Sequence, residues 1–548
     1  MRRRGEVDRS EWRWAAAWIA VALLVTSVPT LIGVTQSTPD RVFSGFTYTV
    51  EDINTYLAKM QQGAQGEWLF RIAHTSEPHD GALLLTYHLL MGKVAALTGL
   101  SFELTYHLAR LVFGALMLAV AYRFIAAFTG STAIRHIAFL LFTFSGGLGW
   151  ILILIGQPNW LGSPPLDLIL PEGFTFLVLY AIPHLALART FLMLGLLLVW
   201  REQGDWLAGW LAGLCWMAMA MIVPFYVLVV YAIVGSGVAV DAVRRSMNWH
   251  AVWRAIVACG LAAIPAAYAF YVFSTSPIFA VWSSQNQVLS PHPLHYLLAY
   301  ALVGGLALVS LRRAWQRGDP MWRRLVSWTL FIPPLLYLPF NAQRRLIESW
   351  PIPVSILASV TLMRVVLPAF RRWRFVHRLA RSPRYTSGGL QRWALSGILL
   401  LTTPTFGLLI LDQTARVITR QWPIFHAGGE VAAIDWLSTR VTYADVVLCA
   451  YATGNYLPAR TSARVFVGHG PETIHLAEKL PLVAKFYAPE TDDAWRQAFL
   501  GEWGIDWVVA GPFERELGTA DLSGKPYLQL LYDAGGYQIY RVSESASQ

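Results

Sequence analysis

Apolar runs of membrane length recur along this chain, and they restrict its fold more than any other property. A run of about 20 apolar residues crosses a bilayer as a helix. Lipid offers no partner to an open backbone, so helix is the form such a run takes. The runs fall near 13–36, 104–128, 134–155, 174–200, 206–221, 223–242, 252–273, 293–312, 325–340, 350–370 and 393–412, a reading of about eleven spans. The stretch 206–242 is too long for one helix, and Pro224 divides it. The run 325–340 is short and carries Pro333, Pro334 and Pro339. Charged residues make up only 14%, against roughly 25% in soluble domains. The expected fold class is mainly α: a polytopic transmembrane helical bundle with a small extracytoplasmic α/β domain at its C-terminal end.

The net charge of +10 sits in Arg-rich loops between apolar runs. The positive-inside rule accounts for it without nucleic acid. Met1-Arg2-Arg3-Arg4 precedes the run 13–36, which is too long for a signal-peptide core and reads as a retained anchor. Cys215 and Cys259 lie in apolar runs and Cys449 in a strand-like run; no CxxC occurs and no disulfide framework follows.

The segment 81–100 is apolar but contains Thr86, His88 and Lys93. A Lys at mid-membrane costs about 2.5–3.5 kcal/mol. A helix lying in the interface avoids that cost. With 81–100 on the surface, the inner loops hold Arg123, Arg135, Arg201, Arg244, Arg245, Arg254, Arg312 through Arg324, Arg371, Arg372, Arg374, Arg378, Arg381, Arg384 and Arg392. The outer ones hold only Arg41, Lys59, Arg71, Arg344 and Arg345. The expectation is a multi-pass protein of a plasma (inner) membrane with a cytoplasmic N-terminus. The loop 37–80 and everything after 412 then face out. The domains expected are 1–412, transmembrane and including that loop, and 413–548. In the tail, 446–448, 464–467 and 507–510 read as strands, 472–488 and 492–503 as helices, and 533–536 as a turn.

Two acidic clusters bracket the first outer loop: Glu51-Asp52 opens it and Glu77-Pro78-His79-Asp80 closes it. Sugar transfer from a lipid phosphate needs a base for the acceptor, a positive charge for the leaving phosphate, and alignment at the membrane surface. Asp52 suits the base; Glu51 and Glu77 suit acceptor positioning or part of a metal site. By residue type alone, the acids equally suit a solvated loop or a cap for a helix beginning at Ile53. Arg344 and Arg345 form the basic pair of an outer loop, a bidentate grip for a donor phosphate. A lipid headgroup or a salt bridge to Glu348 is the plainer use. His79 and Asp80 are candidates for substrate or metal, with loop solvation as the alternative. His184 and Gln343 are likewise candidates for substrate or metal. A lone His on an apolar helix is more often a core residue. A divalent metal is a cofactor these side chains allow, of unknown identity. In the tail, His469 of Gly468-His469-Gly470 and Glu472 suggest a structural or acceptor-binding role. No Gly-rich phosphate loop, Ser/His/Asp set or HExxH is present.

After Asp52 come Tyr56-Leu57-Ala58-Lys59-Met60, Gly66-Glu67-Trp68-Leu69-Phe70, Glu77-Pro78 and Tyr87-His88-Leu89-Leu90. This order resembles the first exterior loop of the GT-C superfamily of membrane glycosyltransferases, in the style of its aminoarabinose transferases and protein O-mannosyltransferases. The resemblance covers about 13–245 in pattern and the remainder in plan. It implies that Asp52 is the catalytic acidic residue, that Trp68 matches the family's G-x-W segment, and that Glu77 is the second acid. Glu77-Pro78 lacks the residue that intervenes in the family's motif, so that match is looser. It also implies a polyprenyl-phosphate sugar donor (hexose or pentose), membrane lipid as the setting, transfer on the outer face, and inversion at the sugar carbon in most members. Sugar and acceptor stay open. The rival reading is a transporter or flippase of a lipid-linked sugar, which needs polar groups along a path through the bilayer. A non-catalytic scaffold is a third.

Overall fold

The computed structural model describes residues 4–201, 205–380 and 385–543. Met1 to Arg3, and Arg381 and Arg384 of the basic linker, lie outside the described residues. The chain divides into two compact units. One holds Met1–Val28, Ala109–Tyr268 and Val288–Asp412; the other holds Pro29–Leu108, Ala269–Gln287 and Gln413–Gln548. The loop 37–80 and the tail therefore group together, although more than 300 residues separate them in sequence.

The protein is mostly helical and multi-pass. Among the described residues, six helices are long and apolar enough to cross a membrane: Arg9–Gln36, Phe102–Ala126, Thr132–Leu154, Tyr226–Val243, Trp249–Thr275 and Pro351–Arg372. The number is eight if two bent pairs each count once. Pro293–Ala299 and Ala301–Gln316 meet at 86°, and Ser387–Leu401 and Pro404–Ile418 at 51°. The second bend has a local cause. Proline has no N–H to donate and disfavours helix at the residue before it, so one helix ends ahead of Pro404. Three further runs become helices of 16 or 17 residues: Pro183–Val199, Trp206–Ile222 and Pro320–Leu335.

Several buried charges of the first unit are paired. Arg135 meets Glu11 at 2.9 Å, and Arg324 meets Asp241 at 2.7 Å. The buried Arg189 guanidinium grips both oxygens of buried Glu348, at 2.5 and 2.9 Å. Tyr226 donates to the same carboxylate at 2.8 Å. Pairing is what makes a buried charge tolerable.

The second unit is built on two sheets. β1 (Arg41–Phe43) pairs antiparallel with β2 (Phe425–Ala427), tying the first loop to the tail. The larger sheet has β3 (Val446–Leu448), β4 (Arg464–Val465), β5 (Trp507–Ala510), β6 (Leu528–Ala534) and β7 (Tyr537–Val542) in the order β4-β3-β5-β7-β6. β3 runs parallel to β4 and β5, while β7 is antiparallel to both β5 and β6. Successive strand side chains point to opposite faces. Val446 and Leu448 accordingly join a core with Val483, Phe486 and Phe499, whereas Val447 and Cys449 join one with Val431, Ile434 and Leu457. Helices cover both faces, which is why these parallel strands read as continuous apolar runs.

Candidate active site

The helix Val50–Ala64 presents the first acids. Ile53, Leu57 and Met60 are buried at helical spacing and fix which side faces out. Glu51 and Asp52 lie in its first turn, where the helix dipole favours negative charge. The helix thus begins before the acids, not after them at Ile53. Thr49 ahead of it is left-handed, with φ 45° and ψ 43°. That conformation strains a β-branched residue and is kept only where the surroundings impose it.

Asp52, Thr55 and Lys59 fall on one stripe of this helix, three and four residues apart. The tail segment Gly468–Thr473 meets that stripe. His469 Nε2 lies 3.2 Å from Asp52 Oδ1. Glu472 Oε1 lies 2.6 Å from Lys59 Nζ, which also donates to Thr55 Oγ1 at 3.0 Å. Glu472 Oε2 is 3.4 Å from Nδ1 of His74, a fully buried residue of the first loop. Burial alone would raise the Glu472 carboxyl; the Lys59 charge and the His74 hydrogen bond outweigh it and hold it well below the usual range. Burial pushes the His74 imidazole down, against the pull of Glu472.

A set of hydrogen bonds holds this segment in place. Thr473 Oγ1 receives the N–H groups of Gly468 and His469 at 3.0 and 3.1 Å and donates to the His74 carbonyl at 2.9 Å. Gln285 donates to the carbonyls of Pro471 and Thr473 and accepts from the His475 N–H. The helix Tyr451–Arg460 approaches closely through glycine: a Cβ on Gly468 would run into the Gly454 carbonyl, and one on Gly454 into that of Val467. From this helix Asn455 donates to the Glu51 carbonyl at 3.3 Å. Burial, followed by the Glu51 charge, raises the Tyr451 phenol.

Glu77 is engaged at the other end of the loop. Its Oε2 accepts from Lys479 Nζ at 2.8 Å and from Thr75 Oγ1. Lys479 is fully buried, with its ammonium 4.8 Å from the Phe466 ring centre and 5.3 Å from that of Trp503. Burial lowers the Lys479 ammonium, and Glu77 opposes the shift. His79 uses both ring nitrogens: Nδ1 donates to the Glu77 carbonyl and Nε2 accepts from the Ile72 N–H, each at 2.9 Å. Burial lowers its imidazole. Asp80 is exposed.

Arg344 and Arg345 belong to the other unit, in the short helix Gln343–Ile347. Both are half-buried. Arg345 Nε is 3.6 Å from Glu172 Oε1, and its guanidinium lies 5.9 Å from the Phe225 ring centre. Burial pushes the Glu172 carboxyl up, and Arg345 opposes it. Glu348, the expected salt-bridge alternative, instead holds Arg189. Gln343 accepts from the Ser290 N–H at 3.0 Å and donates to the Leu338 carbonyl at 2.8 Å, so it braces the loop. His184 sits in the first turn of Pro183–Val199, half-buried.

No protein-family model matches the chain, and no curated protein matches it in sequence. Solved structures do. The arabinofuranosyltransferase AftD from Mycobacteria aligns with 99% of this chain and 40% of its own, at TM-score 0.52 and 17% identity. The two share a fold. The chain spans about two fifths of AftD's length. ArnT from Cupriavidus metallidurans, bound to undecaprenyl phosphate, aligns over 98% of this chain and 99% of its own, at TM-score 0.49 and 14% identity. The Archaeoglobus fulgidus oligosaccharyltransferase AglB, with an inhibitory peptide and a dolichol-phosphate, covers 96% and 74% at TM-score 0.46 and 12% identity.

The second unit collects Glu51, Asp52, Glu77, His79 and Asp80, and the first holds His184, Gln343, Arg344 and Arg345. Among the described residues, no group of three or more His, Cys, Asp or Glu side chains could hold a metal ion. Glu77 is taken by Lys479 and both His79 nitrogens are used, so these side chains do not fit the divalent metal that their residue types allowed. Sequence reading did not anticipate three pairings: Asp52 with His469, Glu472 with Lys59, and Arg189 with Glu348. Composition marked the segment but not its partners: His469 stands between two glycines, with Glu472 two residues beyond the second.

Proposed function

We propose that this chain is a membrane glycosyltransferase that moves a sugar from a polyprenyl-phosphate donor to an acceptor on the extracytoplasmic face. One observation carries the reading. In a GT-C fold, Asp52 offers a carboxylate whose side chain is 54% exposed and is anchored through Oδ1 to His469. A general base must reach solvent-borne substrate and yet be held in one place. In the reaction, Asp52 takes the proton of an acceptor hydroxyl or amine as its heteroatom bonds to the sugar's anomeric carbon. The bond from that carbon to the phosphate oxygen breaks, polyprenyl phosphate leaves, and the carbon inverts. Arg344 and Arg345 bind the donor's phosphate and offset the charge it gains. Glu51 positions the acceptor. The sugar is a hexose or pentose.

In this proposal the chain crosses an inner membrane eleven times, with its N-terminus cytoplasmic and 413–548 outside. The helix Thr86–Thr98 supports a surface position for 81–100. Its 13 residues rise only about 20 Å, less than a bilayer core. Leu90, Val94 and Leu97 form an exposed apolar stripe along it. Lys93 lies 4.3 Å from the ring centre of Trp68, a pairing suited to a headgroup layer.

The test is transfer by the purified protein in lipid nanodiscs, using radiolabelled decaprenyl-phosphate arabinose and decaprenyl-phosphate mannose with a cell-envelope extract as acceptor. Labelled product from the parent chain and none from Asp52→Asn supports the reading. Label that crosses the bilayer of proteoliposomes unchanged in chemical form would favour the flippase instead.

A further inference from the structure

The strongest unassigned group beside Asp52 comes from the tail, and it acts on the loop that carries the acids. His469 is 8% exposed. Its Nε2 faces Asp52 Oδ1 at 3.2 Å, and its buried Nδ1 has no hydrogen-bond partner among the described residues. A hydrogen on Nε2 is the arrangement that suits the carboxylate beside it. With the hydrogen on Nε2, that nitrogen donates to the carboxylate and Nδ1 keeps only a lone pair. The other tautomer would set a lone pair against a carboxylate oxygen and bury an N–H without an acceptor, which is the costlier orphan. The imidazole therefore presents a single aimed donor to one carboxylate oxygen.

Its aim is built in. The His469 backbone is held by Thr473 Oγ1, and that hydroxyl in turn donates to His74 of the first loop. The His74 and His469 ring centres are 5.9 Å apart. Three residues on, Glu472 locks to Lys59, two helical turns beyond Asp52 on the same stripe. The segment Gly468–Thr473 thus grips the helix at two points. The grip at Lys59 is deep and ionic; the grip at Asp52 lies at the exposed end, where it orients a carboxylate.

We propose that His469 is a positioning residue: it fixes the rotamer of Asp52 through an Nε2–H to Oδ1 hydrogen bond, so that the remaining oxygen meets the acceptor. This rests on the glycosyltransfer reading above. It assigns to the tail a part in the acceptor-activating step that neither residue spacing nor the fold's likeness assigns. Because His469 touches neither sugar nor phosphate in this scheme, its loss lowers turnover and leaves donor binding alone. A side chain that can donate from a similar place replaces it in part.

The experiment has two arms on the full chain in nanodiscs. In the first, transfer from decaprenyl-phosphate arabinose and decaprenyl-phosphate mannose is measured for the parent, His469→Ala and His469→Gln. The expected result is a fall in kcat of about tenfold or more for His469→Ala with donor KM within about twofold, and recovery of most of that loss by His469→Gln through its amide N–H. A His469→Ala chain with unchanged kcat overturns the proposal, and so does a loss that appears only in KM. A folded His469→Gln as impaired as His469→Ala does the same. The second arm needs no activity. Diethylpyrocarbonate modification of His469, read by peptide mass spectrometry, is compared between the parent and Asp52→Ala. Removing the carboxylate is expected to speed labelling severalfold; equal rates would show that the contact is not made. If labelling depends on Asp52 while the parent transfers neither sugar, the glycosyltransfer reading fails and the contact stands.

Discussion

Lys59 and Glu472 are 413 positions apart in the chain, and their charged atoms meet at 2.6 Å. Both side chains are almost fully buried. A pair so enclosed is costly to break on one side only, because the surviving charge is left without a partner. Glu472→Gln is therefore expected to destabilise the second unit by about 3–5 kcal/mol. The double change Lys59→Met, Glu472→Met is expected to regain most of that. Thermal unfolding in detergent, followed by tryptophan fluorescence, checks both. An unchanged melting temperature for Glu472→Gln would contradict the burial of the pair.

Acid should loosen the same region. His74 titrates below its ordinary 6.5 in the folded chain because it is buried. As pH falls below about 6.5 the unfolded chain takes up this proton first, so stability is whole above that pH and declines below it. Glu472 adds to the trend lower down. Its folded carboxyl is depressed, so its contribution is full above the unfolded value of 4.5 and is lost as pH falls toward the folded one. Melting temperatures taken from pH 7 to pH 5 should decline in the parent and decline less in His74→Gln.

Asp52→Asn keeps the shape of the side chain and removes its basicity. Turnover should fall by roughly 10²–10⁴-fold, the usual worth of a general base, with melting temperature nearly unchanged because the side chain is half exposed. Radiolabel transfer and a melt on the same sample decide it.

The helices Val50–Ala64 and Thr86–Thr98 cross at Gly63 and Gly92. A Cβ on Gly92 would run into the Met60 carbonyl, and one on Gly63 into that of Leu89. Gly92→Ala should cost about 1–3 kcal/mol through forced separation, seen as a lower melting temperature. Gly66→Ala is not a fair control, since Gly66 has positive φ; Gly235→Ala, with open space around it, is.

Arg345→Ala and Arg344→Ala should each weaken binding of undecaprenyl phosphate by about tenfold or more, the worth of a hydrogen bond to a charged group. Undecaprenol, which lacks the phosphate, should bind all three chains alike. Native mass spectrometry on the two lipids gives the comparison. Arg345→Lys should recover only part of the loss, since an ammonium lacks the planar fork.

Much of the fold could be read from residue order because lipid leaves the backbone few choices. The apolar runs became helices, and the strands at 446–448 and 507–510 appeared where continuous β-branched residues demand cover on both faces. The turn at Gly535-Gly536 takes the positive φ its glycines allow. Bends escaped notice where hydropathy continued through them, as at Tyr300 between Pro293–Ala299 and Ala301–Gln316. The helix at 472–488 starts only at Leu476, because Gly468–Thr473 is spent on contacts with the first loop. The candidate site was half legible. Glu51 and Asp52 announced themselves as adjacent acids behind an apolar run. The long-range pairings did not, since His469 meets Asp52 and Glu472 meets Lys59 across more than 400 positions, and no local pattern encodes that. Arg189 was hidden for the opposite reason: one Arg inside an apolar helix scarcely alters its hydropathy, yet it decides where Glu348 points.

The clasp between Lys59 and Glu472 also sets an order on biogenesis. At about 5–20 residues per second, Lys59 leaves the ribosome roughly 20–80 s before the glutamate that will receive its charge. Through that interval the intervening membrane helices are being inserted, and the ammonium has only water or a transient companion. The second unit can close only when synthesis is nearly finished, so a chain cut short before Gly468 would carry the long apolar helices and still lack the partner of Lys59.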